Sequence, residues 1–175
     1  MPMNWDEYGI HIAQVAALKS KDPWKKVGAT ILREDNTIGG IGYNGFPQGV
    51  KEDWENRDER RLLVVHAEQN ALRYLKPGEG KTLYSTLLPC NECLKTIAAY
   101  QIKRVLYQEI YEQDSSSLSI AEKLGIELIQ YKKPKLTSFW DHSQKPSAFV
   151  VLKDGIEIHR GCYKIGEQLL GIKNN

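Results

Sequence analysis

Two short segments constrain this chain more than anything else in it: His66-Ala67-Glu68 and Pro89-Cys90-Asn91-Glu92-Cys93. Cys90 and Cys93 lie three apart, so on a helix they share a face and both sulfurs reach one ion. A helix N-terminus favours anions, which helps to keep such thiols deprotonated. His66 adds one ring nitrogen. Zinc prefers tetrahedral nitrogen and sulfur ligation, and a catalytic zinc leaves its fourth position to water. The pattern therefore predicts a site for one catalytic Zn2+ held by His66, Cys90 and Cys93. Glu68 begins the same helical turn as His66. Its carboxylate is placed to take a proton from water whose pKa zinc lowers to roughly 7, and to pass it to a leaving amine.

Each half of the pattern has other readings when taken alone. A C-x-x-C pair fits a redox motif, but that motif wants the pair directly after the first strand of a βαβ unit and has no use for His66-Ala67-Glu68. A structural zinc site closes with four protein ligands, commonly two cysteine pairs, and only one close pair exists here. His142 or His159 could be a fourth ligand, but neither lies in a motif. Cys162 stands alone and reads as a small buried apolar residue or an inert surface thiol. A non-catalytic, zinc-stabilised binding module would not need Glu68.

The chain has 175 residues, the size of one domain with a terminal extension. An apolar content of 41% and a charged content of 26% fit a globular protein. A formal net charge of +2 gives a weak overall field, which argues against a nucleic-acid partner. No apolar run approaches the roughly 18 residues that span a bilayer, so no membrane insertion is expected. The first residues lack a basic region followed by an apolar stretch, and the three cysteines do not form a disulfide framework. Both points lead to the expectation of a cytoplasmic protein.

Apolar periodicity predicts a helix over 5–18, with Trp5, Tyr8, Ile12, Val15, Ala16 and Leu18 on its apolar face. Strands over 27–32 and 38–43 flank a turn at Glu34-Asp35-Asn36. Residues 44–60 form a long polar loop with one helical turn near Trp54. A helix runs from Leu62 to about Leu75, where Pro77-Gly78 ends it. Strand 82–86, helix 91–100, strand 104–107, helix 117–124 closed by Gly125, and strand 127–131 follow. This alternation predicts a layered α/β sheet sandwiched by helices. Lys132-Lys133-Pro134-Lys135 marks a boundary between a domain over 1–135 and an extension over 136–175. Asp154-Gly155, between apolar runs at 147–152 and 156–159, predicts a β-hairpin in that extension.

The H-x-E and P-C-x-x-C pair resembles the signature of zinc-dependent nucleobase deaminases. Lys21-Asp22-Pro23, Val27-Gly28-Ala29, Gly42-Tyr43-Asn44-Gly45-Phe46-Pro47-Gln48-Gly49, His66-Ala67-Glu68-Gln69-Asn70-Ala71 and Leu88-Pro89-Cys90-Asn91-Glu92-Cys93 stand in the order of the deoxycytidylate deaminases. These belong to the cytidine-deaminase-like superfamily. The resemblance spans residues 5–131. It implies a three-layer α/β/α sandwich with a mixed five-stranded sheet, and hydrolysis of dCMP to dUMP and ammonia. The same chemistry on another small pyrimidine or on a tRNA base is the alternative.

The resemblance also implies residue roles. His66, Cys90 and Cys93 hold the metal and Glu68 shuttles the proton. Asn44 bonds the sugar hydroxyl, and the backbone at Ala67 reads the pyrimidine edge. Lys25 or Lys26 lies near the substrate phosphate, and Tyr111 near the base. A solvated lysine and a surface tyrosine are the plainer readings of the last two positions. In regulated relatives the loop of Gly45, Phe46 and Gly49 takes dCTP as activator, dTTP inhibits, and the chains assemble as a homo-oligomer, a hexamer or a dimer. Arg57, Arg60 and Arg61 then contact phosphates at that loop, or form an ordinary salt-bridged helix face with Glu55, Asp58 and Glu59.

Overall fold

The computed structural model describes residues 3–110, 116–133, 136–143 and 148–161. Tyr111 and Cys162 lie outside them. Contact clustering divides the chain into a unit over residues 2–131 and a second over 132–175.

The first unit is built on a five-stranded mixed sheet: β1 (Gly28–Leu32), β2 (Ile38–Tyr43), β3 (Thr82–Leu87), β4 (Arg104–Glu109) and β5 (Glu127–Gln130). Their order is β2-β1-β3-β4-β5. β1 runs antiparallel to both β2 and β3, whereas β3, β4 and β5 are parallel. Strand alternation divides the core in two. Leu32, Tyr84 and Leu106 pack with Ile10 and Ala13 of α1 (Trp5–Ala17) on one face. Ile31, Leu83 and Val105 pack on the other face with α3 (Ala67–Leu72), α4 (Asn91–Ala99) and α5 (Ser116–Leu124). The result is the expected three-layer α/β/α sandwich.

Helix α1 begins where Asn4 Oδ1 accepts the Glu7 N–H at 2.8 Å. Its inward face differs from the expected one. Gly9, Ile10, Ala13, Ala16 and Ala17 are buried, while Trp5, Val15 and Leu18 are exposed. Small residues win because the helix lies directly on the sheet: a Cβ at Gly28 of β1 would stand 2.0 Å from the Ala13 carbonyl oxygen.

The single helix expected over 62–75 is two helices. Helix α2 (Arg57–Leu63) is capped by Asn56, whose Oδ1 accepts the Glu59 N–H at 3.1 Å. Residues 64–66 are then extended before α3. Val65 imposes the break, because it exchanges two backbone hydrogen bonds with Gly45, at 2.9 and 3.1 Å. The apolar run at 62–65 is also not uniformly buried, since Leu62 is 83% exposed.

In the second unit, β6 (Leu136–Asp141), β7 (Ala148–Lys153) and β8 (Ile156–Gly161) form an antiparallel sheet in the order β6-β7-β8. The expected hairpin is β7–β8, and its Asp154-Gly155 turn has both residues at positive φ, 53° and 82°. Strand β6 is an addition to the expected hairpin. Within the described residues no helix is long and apolar enough to cross a membrane.

Candidate active site and metal centre

Strand β3 ends at Leu87, and Leu88-Pro89 leads to α4. Cys90 occupies the N-cap of α4 and His66 the N-cap of α3. Both positions usually hold Ser, Thr, Asp or Asn, whose oxygen caps the helix. Neither His66 nor Cys90 makes a capping bond; the side chains turn to each other instead. His66 Nδ1 lies 3.4 Å from Cys90 Sγ and 3.3 Å from Cys93 Sγ. Cys93 is the third residue of α4, so the two cysteines use the spacing by which an N-cap residue meets the third helical residue. The common face expected of two helical cysteines is thus a cap geometry.

One donor atom from each of the three side chains lies within 4.8 Å of the others, a set able to hold a metal ion. Tetrahedral zinc with Zn–S near 2.3 Å and Zn–N near 2.05 Å places S and N roughly 3.5 Å apart, which both S···N distances approach. The thiol chemistry agrees. A hydrogen bond from Cys93, with His66 beside it, brings the Cys90 thiol down to about 4, against the opposing effect of burial. Its bond to Cys90 raises the His66 imidazole. Cys93, buried and next to Cys90 and Glu68, is pushed upward when no cation faces it.

Glu68, in the first turn of α3, is only 4% exposed. Burial raises its carboxyl pKa above the usual carboxylate value. Ser85 Oγ of β3 donates to its Oε1 at 3.1 Å, and Cys93 Sγ lies 3.5 Å from Oε2. Glu68 therefore touches Cys93 of the candidate metal-binding set and is held from behind by the sheet.

His66, Glu68 and Cys90 line a cavity of about 360 Å3. Its wall also includes Asp22, Lys25, Asn44, Arg60, Arg61 and Ala67. Asn44 is buried and heavily engaged. Its Oδ1 accepts the Val27 N–H at 2.8 Å, and its Nδ2 donates to Asp22 Oδ2 at 3.2 Å and the Lys25 carbonyl at 3.0 Å. One Oδ1 lone pair is left over. Lys25 Nζ pairs with Glu109 at 2.5 Å. Ala67 opens α3, where a backbone N–H has no intrahelical acceptor.

A family model for the cytidine and deoxycytidylate deaminase zinc-binding region matches residues 3–109. The chain belongs to the cytidine and deoxycytidylate deaminase family. It is 38% identical over 132 residues to the deoxycytidylate deaminase of Homo sapiens, covering 70% of this chain and 74% of that one. It is 32% identical over 136 residues to ComE operon protein 2 of Bacillus subtilis, covering 73% and 71%. The structure of dCMP deaminase from cyanophage S-TIM5 in complex with dCMP and dUMP superposes with a TM-score of 0.66 at 28% identity. It covers 75% of this chain and 99% of that one.

As a deaminase of this family, the chain is a zinc-dependent hydrolase, and the His66, Cys90 and Cys93 donor set fits its metal. The expected residues fall in two places. His66, Ala67, Glu68, Cys90, Asn44 and Lys25 share the cavity just described. Gly45 and Phe46 line a second cavity of about 400 Å3 with Arg73 and Tyr74, while Gly49 lies outside it at a turn with φ 86°. Arg60 and Arg61 line the first cavity rather than the loop cavity, and Arg57 lines neither. Sequence reasoning missed Ser85, since a serine outside a motif carries no signal, and it gave no role to Asp22 of Lys21-Asp22-Pro23, which lines the cavity.

Proposed function

We propose that this protein hydrolyses dCMP to dUMP and ammonia, with Glu68 as its proton carrier. The observation that carries the reading is the buried Glu68 carboxyl, which is set between Cys93 and Ser85 and lines a nucleotide-sized cavity. When bound, zinc supplies the Lewis acidity that activates water near neutral pH. Glu68 takes one proton of the attacking water and delivers it to N3 of the pyrimidine, then takes the remaining proton of the C4 hydroxyl and passes it to the amine, which leaves as C4 becomes a carbonyl. Water adds at C4 before the C–N bond breaks, and one water is consumed for each ammonia released. The orphan N–H of Ala67 and the free lone pair of Asn44 orient base and sugar, and Lys25 faces the phosphate side. Ammonia release measured with dCMP, CMP, deoxycytidine, cytosine and a tRNA substrate tests this reading. The fastest turnover is expected on dCMP, and a preference for tRNA or a free base would overturn it.

The second cavity supports regulation by a nucleotide such as dCTP or dTTP. Val64 and His66 line the reaction cavity and Val65 lines the other, so the extended step at 64–66 is a wall common to both. Metal ligation needs reduced thiols at Cys90 and Cys93, which suits the cytoplasm. Light scattering with and without dCTP tests the expected homo-oligomer, and rates measured with dCTP or dTTP test the regulators.

A further inference from the structure

Three cations line the reaction cavity, and their surroundings differ. Lys25 is paired with Glu109. Arg60 is fixed in place: its guanidinium lies 4.1 Å from the Trp24 ring centre, and its Nη1 donates to the Trp54 carbonyl at 3.3 Å. Arg61, the next residue of α2, is exposed and makes no ion pair among the described residues. The carboxyls of the lining are committed elsewhere. Asp22 accepts the N–H groups of Trp24 and Lys25 at 2.9 and 3.0 Å and meets Asn44 Nδ2. Glu68 is engaged by Ser85 and Cys93 beside the metal ligands. The cavity thus keeps an uncompensated guanidinium in its wall, carried on a helix that Arg60 clamps to Trp24.

The cavity's three cations stand on α2 and on residues 22–25, so a nucleotide whose base meets Glu68 finds there the positive charge that its 5′-phosphate needs. A guanidinium offers a planar fork of donors that matches a phosphate. We propose that Arg61 is the specificity-determining residue that receives the 5′-phosphate and separates nucleotides from nucleosides. This rests on the nucleotide-deaminase reading above. It moves Arg61 from the regulatory loop, where the sequence had grouped it, to the substrate.

Ammonia release from dCMP and deoxycytidine by the zinc-loaded protein tests the proposal, together with calorimetric binding of dUMP and deoxyuridine. Arg61→Ala is expected to lower kcat/KM for dCMP and the affinity for dUMP roughly 10- to 100-fold, the range for a lost charged hydrogen bond. Its deoxycytidine turnover and deoxyuridine affinity stay unchanged, and Arg61→Lys recovers part of the loss. A dCMP-to-deoxycytidine ratio and a dUMP-to-deoxyuridine ratio that do not move would overturn the proposal. So would an equal loss on nucleotide and nucleoside, which marks a structural role. Wild-type protein that deaminates another amine but not dCMP overturns the nucleotide reading itself, a result separable from any effect of the substitution.

Discussion

Ser85 Oγ donates to Glu68 Oε1 at 3.1 Å, and both residues are buried. The bond joins the middle of the sheet to the group proposed to move the proton. Ser85→Ala leaves the Glu68 carboxyl short of a partner, at a cost of roughly 1–3 kcal/mol. We expect a fall in kcat with unchanged zinc content, because among the described residues the Ser85 hydroxyl bonds Glu68 and the Leu87 N–H rather than His66, Cys90 or Cys93. Steady-state rates and metal analysis of the variant check this.

Helix α3 rests on glycines of β2. A Cβ at Gly42 would stand 2.3 Å from the Ala67 carbonyl oxygen and 2.4 Å from the Ala71 nitrogen. Gly42→Ala must push α3 away, at roughly 1–3 kcal/mol or more for overpacking. Since α3 carries Glu68 and follows His66, activity is expected to fall with stability. Urea unfolding and ammonia release on the same preparation would show both.

Asp6 ties α1 to the sheet. Arg104 binds both its oxygens at 2.8 Å, and the Tyr84 hydroxyl donates to Oδ1 at 3.0 Å. The hydrogen bond from Arg104 is the main reason that the Asp6 pKa lies below 3.8. A lowered carboxylate contributes stability that is present above the unfolded pKa, near 3.9, and lost as pH falls through the folded value. The stability gap between wild type and Asp6→Asn is therefore expected to close on acidification below about pH 4. Unfolding midpoints compared at neutral and acidic pH test it. At the other extreme, burial and Asp6 push Tyr84 up to about 12, so its ultraviolet ionisation should come well above the ordinary tyrosine value near 10.

Removing the metal should abolish activity without dissolving the fold. The core around the site is aliphatic, with Ile31, Leu83, Leu94, Ile97 and Val105 buried. Chelation is expected to stop ammonia release and lower the thermal midpoint, because a ligand of the native state stabilises it by mass action. Far-UV circular dichroism should persist, and stoichiometric Zn2+ should restore the rate.

Much of this was legible in residue order. The metal ligands and Glu68 stood out because their chemistry demands rare residue types at short spacing. Strands β1 to β5 showed because turns and glycines punctuate them. The break at 64–66 did not show, because Leu62, Leu63, Val64 and Val65 look alike to periodicity, while the Gly45–Val65 pairing that breaks the helix is a tertiary contact. The buried face of α1 was misjudged for a related reason: large apolar residues attract attention, but close contact with the sheet selects Gly9, Ala13 and Ala17. Arg61 could not be placed from sequence, since only the fold decides which cavity a helix flanks.

The central claim is that Glu68 carries the proton beside a zinc held by His66, Cys90 and Cys93. Glu68→Gln preserves shape and removes the acid, so its zinc content and its ammonia release from dCMP test the claim most directly. We predict that zinc stays stoichiometric while the rate falls roughly 100- to 10,000-fold, the contribution expected of general acid–base catalysis. A variant that keeps its zinc and deaminates dCMP at the wild-type rate would contradict the account.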